Sequence, residues 1–408
     1  MALANENYLK TPKISYFDEI EKRVNAYKIT HPTSQLIRLG LGDVTQPLPN
    51  EVIKAMHGAV DELAHVETFK GYGPPQGYDF LIDKILKEYR TLGVSLDKES
   101  IFVSDGAKSD IGNIGHVLGR DNIIAIADPV YPVYENATIM SGRAGTLNEE
   151  DQKWSNIVYL QCTAKTSFLP ELPNEKVDII YLCNPNNPTG TVLNKTELKR
   201  WVDYAIEHQS IIVYDGAYQA YVNEPDVPRS IYEIKGAKKV AIEIRTYSKT
   251  AGFTGLRCGF TVFPQELMVY TRMGEQVPLK ELWSRRKTQY TNGVSYVVQR
   301  GAEAIYSRKG KLETTELVNY YMKNASIIRE ELISMGYEVY GGISAPYIWF
   351  KTPDNQSSWK FFHQLMYDYK IVGTPGVVFG ATGEGYMRFT GFGSREETIE
   401  AMQRLRKG

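Results

Sequence analysis

Short, continuous apolar segments recur between residues 101 and 244, and they restrict the fold more than any other feature of the sequence. They alternate with segments of helical periodicity. The clearest of these, residues 195–207, follows the capping residue Asn194 and carries Glu197 at the third helical position. Strands that are apolar throughout, rather than at every second position, are typical of a sheet covered on both faces. The apolar segments predict strands at residues 101–103, 123–126, 156–160, 178–182, 211–214 and 240–244.

The pattern changes after about residue 294, where a long helical stretch is followed by short strands and two further helices. The predicted fold class is therefore α/β, with a mainly parallel sheet in a large domain and a smaller α+β domain beside it. We predict an N-terminal arm and the start of the small domain at residues 1–48. The large domain is predicted at 49–294, and the small C-terminal domain at 295–408.

Composition excludes several classes of protein. The 47 Lys and Arg residues nearly balance 48 Asp and Glu residues, so no general attraction to nucleic acid or to an acidic membrane is expected. The three cysteines are far apart in the sequence, and no apolar segment approaches the roughly 18 residues that span a bilayer. No signal peptide and no metal-ligand set is recognised. These features predict a cytoplasmic protein without a bound metal.

A lysine among hydroxyl residues follows the last predicted strand. The segment 246–257 contains Thr246, Ser248, Lys249 and Arg257 around a glycine-punctuated loop. Hydroxyls and an arginine can hold an anionic group, and a desolvated lysine amine can attack an aldehyde to form a Schiff base. Pyridoxal phosphate carries both groups. Taken alone, the segment favours a surface lysine in a loop over such a site.

Two other strand ends carry residues suited to a planar, phosphorylated ligand, because ligands of open α/β sheets bind at the carboxyl ends of the strands. Gly106, Ala107 and Lys108 stand at a predicted helix start, where free N–H groups can bind phosphate. Tyr131 lies in a proline-flanked turn from which its ring could stack on a cofactor. An ordinary capped helix and a tyrosine packed on the domain edge are the alternatives.

Two further loops carry polar side chains at the strand ends. Residues 183–190 hold two Asn-Pro steps and include Asn187. Asp215 ends an apolar strand, with Tyr218 three residues later. A buried carboxylate is costly unless a cation or a donor pairs with it, and a protonated pyridine nitrogen is such a cation. A helix cap is the alternative role for Asp215.

Together these segments resemble the fold-type I pyridoxal-phosphate aminotransferases of class I/II, over almost the whole chain. Within that class the sequence resembles the LL-diaminopimelate aminotransferases. The segments that carry the closer resemblance are residues 39–47, 103–111, 229–234, 251–255, 340–342 and 345–347.

The resemblance implies a role for each candidate residue that contacts the cofactor. Lys249 would be the Schiff-base lysine and would carry the proton between the substrate Cα and cofactor C4′. Asp215 would pair with the pyridinium, Asn187 and Tyr218 would hold the ring hydroxyl, and Tyr131 would stack on the ring. The phosphate would be held by Gly106, Ala107, Lys108, Thr246, Ser248 and Arg257.

The resemblance also implies how amino-acid and 2-oxo-acid substrates bind. Arg388 would take the substrate α-carboxylate in a bidentate pair, assisted by Asn187 and by backbone near Gly42. Tyr72 and Asn292 would reach the active site of a second subunit, so the functional unit would be a homodimer with shared active sites. The remaining residues expected at the substrate are Tyr16, Lys108 and Tyr131.

The sequence departs from the family at one position. The family's loop typically reads Gly-Tyr-Gly-x-Glu-Gln-Gly, and its glutamate helps to bind the distal ammonium of the substrate. Here residues 71–77 place Pro75 at that position, and a proline offers neither charge nor N–H. Another group, Tyr16 of the arm or a water molecule, would then contact the ammonium.

The implied reaction is a ping-pong transamination that interconverts two pairs of compounds. One pair is LL-2,6-diaminopimelate and 2-oxoglutarate, and the other is tetrahydrodipicolinate and glutamate. The reaction is a step of lysine and cell-wall synthesis. Two alternatives remain: an aminotransferase of aromatic, alanine or aspartate specificity, and a pyridoxal-phosphate β-lyase. Aminotransferase-like domains also occur in transcription regulators. The sequence offers no DNA-binding module for that role.

Overall fold

The computed structural model describes residues 1–12 and 15–407. The side chain of Tyr16, which was predicted at the substrate, lies outside that description although its backbone begins the first helix. Among the described residues, no helix combines the length and the apolar character needed to cross a membrane. Across those same ranges, no cluster of His, Cys, Asp or Glu side chains is arranged to hold a metal ion.

Twelve α-helices lie within the described ranges. They are α1 (Tyr16–Thr30), α2 (Asn50–Leu63), α3 (Asp79–Thr91), α4 (Ala107–Ile114), α5 (Val133–Met140), α6 (Lys195–His208), α7 (Tyr247–Thr250), α8 (Leu279–Tyr290), α9 (Tyr296–Ala304), α10 (Arg308–Ser334), α11 (Ser358–Tyr367) and α12 (Arg395–Lys407).

The strands are short and most of them are buried. They are β1 (Ile37–Arg38), β2 (Ile101–Ser104), β3 (Ile124–Asp128), β4 (Leu147–Asn148), β5 (Lys153–Trp154), β6 (Ile157–Gln161), β7 (Ile179–Cys183), β8 (Ile211–Asp215), β9 (Ala241–Thr246), β10 (Gly259–Val262), β11 (Met268–Tyr270), β12 (Gln276–Pro278), β13 (Val339–Gly341), β14 (Tyr347–Lys351), β15 (Ile371–Val372), β16 (Thr374–Pro375) and β17 (Tyr386–Thr390).

The large sheet has seven strands in the order β2-β10-β9-β8-β7-β3-β6. All of its pairs are parallel except those made by β10, which runs antiparallel to both β2 and β9. Every residue of β8 and β9 is buried, so the prediction of a sheet covered on both faces is confirmed. The six predicted strands are all present.

Strand β10 was not predicted from the sequence. It follows the glycine-punctuated loop after Lys249 and has only Phe260 and Val262 as large apolar residues. No long crossover helix separates it from β9, because α7 contributes only one turn. A direct return of this kind places the two strands antiparallel.

A second sheet of four strands, in the order β13-β14-β17-β16, is antiparallel throughout. Helices α10, α11 and α12 pack beside it in a separate apolar cluster. The arm joins this unit because β1 pairs in parallel with β15. The smaller α+β unit is therefore present, whereas the domain boundaries at residues 48 and 294 stay predictions. Helix α10 is continuous over 27 residues.

Candidate active site

A cavity of about 280 Å³ lies where the carboxyl ends of the large-sheet strands face the smaller sheet. Twelve of the residues that the sequence predicted at the site contribute to its wall. They are Gly42, Ala107, Lys108, Tyr131, Asn187, Asp215, Tyr218, Thr246, Ser248, Lys249, Arg257 and Arg388.

Lys249 lies on the single turn of α7, directly after β9. Its Nζ donates a hydrogen bond to the carbonyl oxygen of Gly42 and lies 5.1 Å from the centre of the Phe392 ring. Burial lowers the pKa of the Lys249 amine to about 8, against an ordinary value of 10.5. The positive charges of Arg388 and Arg257 lower this pKa further, while the Asp43 carboxylate opposes them. The amine is therefore a better nucleophile at neutral pH than an exposed lysine.

Asp215 is the last residue of β8 and is only 5% exposed. Its carboxylate accepts hydrogen bonds from the Tyr134 hydroxyl at 2.7 Å and from the Ala217 N–H at 3.0 Å. Burial raises the pKa of the Asp215 carboxyl, and these two donors only partly offset that effect. No cation among the described residues forms an ion pair with it. The arrangement suits a positively charged ring atom of a bound ligand.

The first turn of α4 and the guanidinium of Arg257 flank one end of the cavity. Gly106 caps this helix with φ of +119°, and a Cβ at that position would lie 2.6 Å from Arg257 Nη2. Only glycine fits this close approach. Arg257 Nη1 donates to Ser248 Oγ at 3.4 Å, and the Thr246 hydroxyl donates to the same Oγ at 2.9 Å. Free N–H groups, hydroxyls and a guanidinium together form a site for a phosphate group.

Arg388 lies on β17 of the smaller sheet and is 2% exposed. Its Nη1 donates to Asn187 Oδ1 at 2.7 Å, and its Nη2 donates to the Gly40 carbonyl at 2.8 Å. Its Nε has no hydrogen-bond partner among the described residues. Burial lowers the pKa of the Arg388 guanidinium, and the ring of Tyr347 lies 4.8 Å below it. A buried guanidinium with a free donor is suited to a carboxylate.

Sequence reasoning missed several residues of the cavity wall. The Tyr347 hydroxyl lies 2.5 Å from the Tyr218 hydroxyl, and burial raises the pKa of Tyr347 to about 12. Tyr134 contacts Asp215, and Phe17 of α1 closes one side of the cavity. The one signal in the sequence was that Tyr134 follows Tyr131 by three residues. Tyr347 and Phe17 come from distant segments, so no local pattern connects them to the site.

Gly106 stands beside the cavity as the cap of α4, and Tyr72 and Asn292 lie away from its wall. Tyr72 is 90% exposed, and Asn292 is also exposed in the loop between α8 and α9. Neither contributes to the cavity wall, and their role at a second subunit stays a prediction. The side chain of Tyr16 lies outside the described residues.

The lowered pKa of Lys249 predicts how the cofactor-free protein reacts with an aldehyde. Because the free amine is the nucleophile, the rate of reaction with pyridoxal phosphate should rise with pH and level off above about 8 rather than near 10.5. Stopped-flow absorbance measures this rate. Asp43→Asn should move the midpoint to lower pH, since the Asp43 charge raises the pKa. Asp151→Asn in an exposed turn should not, and a midpoint near 10.5 would refute the assignment.

Comparison with known proteins places these features in one family. The model of the family "Aminotransferase class I and II" matches residues 34–405. A curated LL-diaminopimelate aminotransferase of Parabacteroides distasonis is 58% identical, covering 100% of this chain and 99% of that protein. The enzyme of the same name from Bacteroides fragilis is 56% identical over 407 residues, with the same shares covered.

The fold is similar to a solved structure of the same kind. The L,L-diaminopimelate aminotransferase from Chlamydomonas reinhardtii superposes with a TM-score of 0.92 at 38% identity, covering 100% of this chain and 98% of that one. The fold-type I architecture predicted from the sequence is confirmed. Because the family model matches nearly the whole chain, the protein belongs to the class I and II aminotransferases. The enzymes of this family generally depend on pyridoxal phosphate.

Proposed function

We propose that the protein uses pyridoxal phosphate to transfer an amino group between LL-2,6-diaminopimelate and 2-oxoglutarate. The products of that transfer are tetrahydrodipicolinate and glutamate, and the reaction is reversible. One observation carries the type of reaction. A partly buried amine of lowered pKa, a buried carboxylate without a cation and a buried guanidinium with a free donor line one cavity. The substrate class rests on full-length relatives of that name at 56% and 58% identity.

The residues present fit pyridoxal phosphate. The first turn of α4, with Ser248 and Arg257, offers donors to its phosphate, and the Asp215 carboxylate offers a partner to its ring nitrogen. Tyr218 and Asn187 are available to the ring hydroxyl, and Tyr131 to the ring face. When bound, pyridoxal phosphate supplies an electron sink that stabilises negative charge on the substrate Cα.

Arg388 would bind the α-carboxylate of the amino acid. Its guanidinium is buried and faces two aromatic rings, so water competes little for its donors. The hydrogen bond from Nη1 to Asn187 fixes the plane of the guanidinium, and an amide oxygen in that position leaves its positive charge unneutralised. Arg388 thereby selects a carboxylate and orients the Cα of the substrate towards Lys249.

Lys249 would move the proton. Because its pKa is lowered to about 8, a useful fraction of the amine is unprotonated near neutral pH and can take the proton from the substrate Cα. The resulting ammonium would then be the group that holds a proton for C4′ of a bound cofactor. The Gly42 carbonyl accepts a hydrogen bond from Nζ and so limits the positions of the amine between the two carbon atoms.

The far end of diaminopimelate carries a second carboxylate and a second ammonium. Lys108 is exposed at the cavity wall and offers a cation to that carboxylate. The ammonium lacks the loop acid of the family, because Pro75 stands in its place. This departure favours a second candidate, an aminotransferase of other specificity. In such an enzyme the absence of the acid would be expected.

A homodimer is the proposed functional unit, acting in the cytoplasm. Tyr72 is 90% exposed, and Val66 and Phe69 before it are 92% and 62% exposed, so this loop presents an apolar surface to a second copy. The three cysteines form no disulfide, which agrees with a reducing compartment.

Titration of the cofactor-loaded protein with amino acids distinguishes between the two candidate substrate specificities. Adding LL-diaminopimelate or glutamate should abolish the visible absorbance of the bound cofactor, while tyrosine and aspartate should leave it nearly unchanged. Lys249→Ala should remove both this absorbance and turnover, and the exposed control Lys239→Ala should retain them. A response to tyrosine or aspartate without one to diaminopimelate would favour the second candidate.

Pro75→Glu restores the acid of the family's loop and tests how the distal ammonium is bound. The variant should raise kcat/KM for LL-diaminopimelate about tenfold relative to a mono-amino dicarboxylate analogue, because a carboxylate adds a charged hydrogen bond. Pro74→Glu, with the acid one position earlier, is the matched control. If the ratio for Pro75→Glu stays at the wild-type value, the ammonium is bound by other groups.

Mixing two defective variants tests the shared active site. Lys249→Ala and Tyr72→Ala should each show little turnover alone. After subunit exchange, one site of each mixed dimer has an intact Lys249 and an intact Tyr72 from the partner, so about a quarter of wild-type activity should return. Activity that stays at the sum of the two variants would place Tyr72 outside the neighbouring site.

A further inference from the structure

A second cavity, larger than the one that holds Lys249, lies on the other side of the same turn. Its volume is about 520 Å³. Thr246 contributes to the walls of both cavities, and Tyr247 and Thr250 of α7 belong to the wall of the larger one. One turn of backbone therefore separates the two spaces. No residue that we assign to the cofactor or the substrate, apart from Thr246, lines the larger cavity.

A buried arginine in this wall has a donor to spare. Arg245 is 6% exposed, and its Nε donates to Glu243 Oε1 at 2.5 Å while its Nη2 donates to the carbonyl oxygen of Arg229. Its Nη1 has no hydrogen-bond partner among the described residues. This nitrogen is not cut off from solvent, so an acceptor that enters the cavity can reach it.

Glu243 does not depend on Arg245 alone for its hydrogen bonds. Its carboxylate also accepts from the hydroxyls of Tyr89 at 2.7 Å and Ser230 at 2.6 Å, and from the Ile231 N–H at 3.0 Å. Because these three donors already satisfy the carboxylate, Arg245 can bind a second acceptor without leaving Glu243 unpaired.

The rest of the wall defines the class of ligand. Arg229 adds positive charge, whereas Lys311 and the one acid in this wall, Glu88, form an ion pair at 2.5 Å and offset each other. The apolar part of the wall is aromatic, which suits a flat body rather than a flexible chain. Its aromatic residues are Tyr89, Tyr221, Tyr247, Phe260 and Tyr306.

The larger cavity also contacts the turn that carries the reactive lysine. Tyr221 lines it, and the Tyr221 hydroxyl donates to the backbone carbonyl of Lys249 at 2.8 Å. Thr250, the next residue, lies in the same wall. A ligand that shifts Tyr221 or Thr250 therefore shifts the backbone from which the Lys249 amine extends.

We propose that the larger cavity is a second ligand site, which takes a small organic carboxylate with a flat apolar body and alters the position of Lys249 when occupied. The carboxylate binds Arg245 Nη1 at the buried end, and the flat body lies against the aromatic wall. The site is separate from the substrate site, where Arg388 takes the carboxylate.

The binding test uses naphthoate, which has no amino or oxo group to react with the cofactor, and the cofactor-loaded protein. Isothermal titration should detect binding of naphthoate and much weaker binding of the neutral naphthamide. Asn319→Trp, whose side chain fills the cavity from α10, should weaken naphthoate binding at least about tenfold. Lys323→Trp, one turn further along α10 and also exposed, should not.

Three results would overturn the proposal. They are no binding of naphthoate at millimolar concentration, equal binding of naphthamide, and binding that is lost in Arg388→Gln but kept in Asn319→Trp. The last result would place naphthoate in the substrate site. For the effect on Lys249, saturating naphthoate should change the visible spectrum of the bound cofactor in the wild type and not in Asn319→Trp. An unchanged spectrum with full binding would refute that part.

Discussion

Desolvation of ionisable groups at one edge of the large sheet is the constraint on which this structure depends. Asp215 and Arg388 are buried and Lys249 is partly buried, and desolvation shifts the pKa of each in the direction that favours its neutral form. Left without partners, such groups would be unfavourable by several kcal/mol each. The fold tolerates them because each side chain makes at least one hydrogen bond: Lys249 and Arg388 donate to neighbouring carbonyl oxygens, and Asp215 accepts from Tyr134. The hydrogen bonds and ion pairs that these three side chains have not yet formed are available to a charged ligand.

The two sheets contribute different parts of this arrangement. The large sheet supplies Asp215 and Lys249 from the ends of neighbouring parallel strands, β8 and β9, both fully buried. The smaller sheet supplies Arg388 and Tyr347 from paired strands. The hydrogen bond from Arg388 to Asn187 and the one between the hydroxyls of Tyr218 and Tyr347 connect the two units across the cavity. Relative movement of the sheets would therefore change the substrate contacts before it changes those around Asp215.

The part of the site that could be predicted from the sequence is the part at the carboxyl ends of the parallel strands. Residues directly after apolar strands, such as Lys249, Asp215 and Asn187, could be predicted because parallel strands bring their carboxyl ends to one edge. Tyr347 and Phe17 could not, since they reach the cavity through the packing of distant segments. Strand β10 was missed because few of its residues are apolar, and the spare donor of Arg245 becomes visible only when its neighbours are known.

The backbone of residues 40–42 competes with the substrate. Its carbonyl oxygens accept hydrogen bonds from Arg388 through Gly40, from Lys249 through Gly42 and from Thr390 through Leu41. A carboxylate that binds Nη2 of Arg388 therefore exchanges one oxygen acceptor for another there and gains mainly the difference between a full charge and a peptide dipole, whereas the free Nε offers it an additional donor. Such exchange weakens the binding of all ligands equally but preserves the preference for anions. An enzyme that must release a product in each half of its cycle benefits from this loss of affinity.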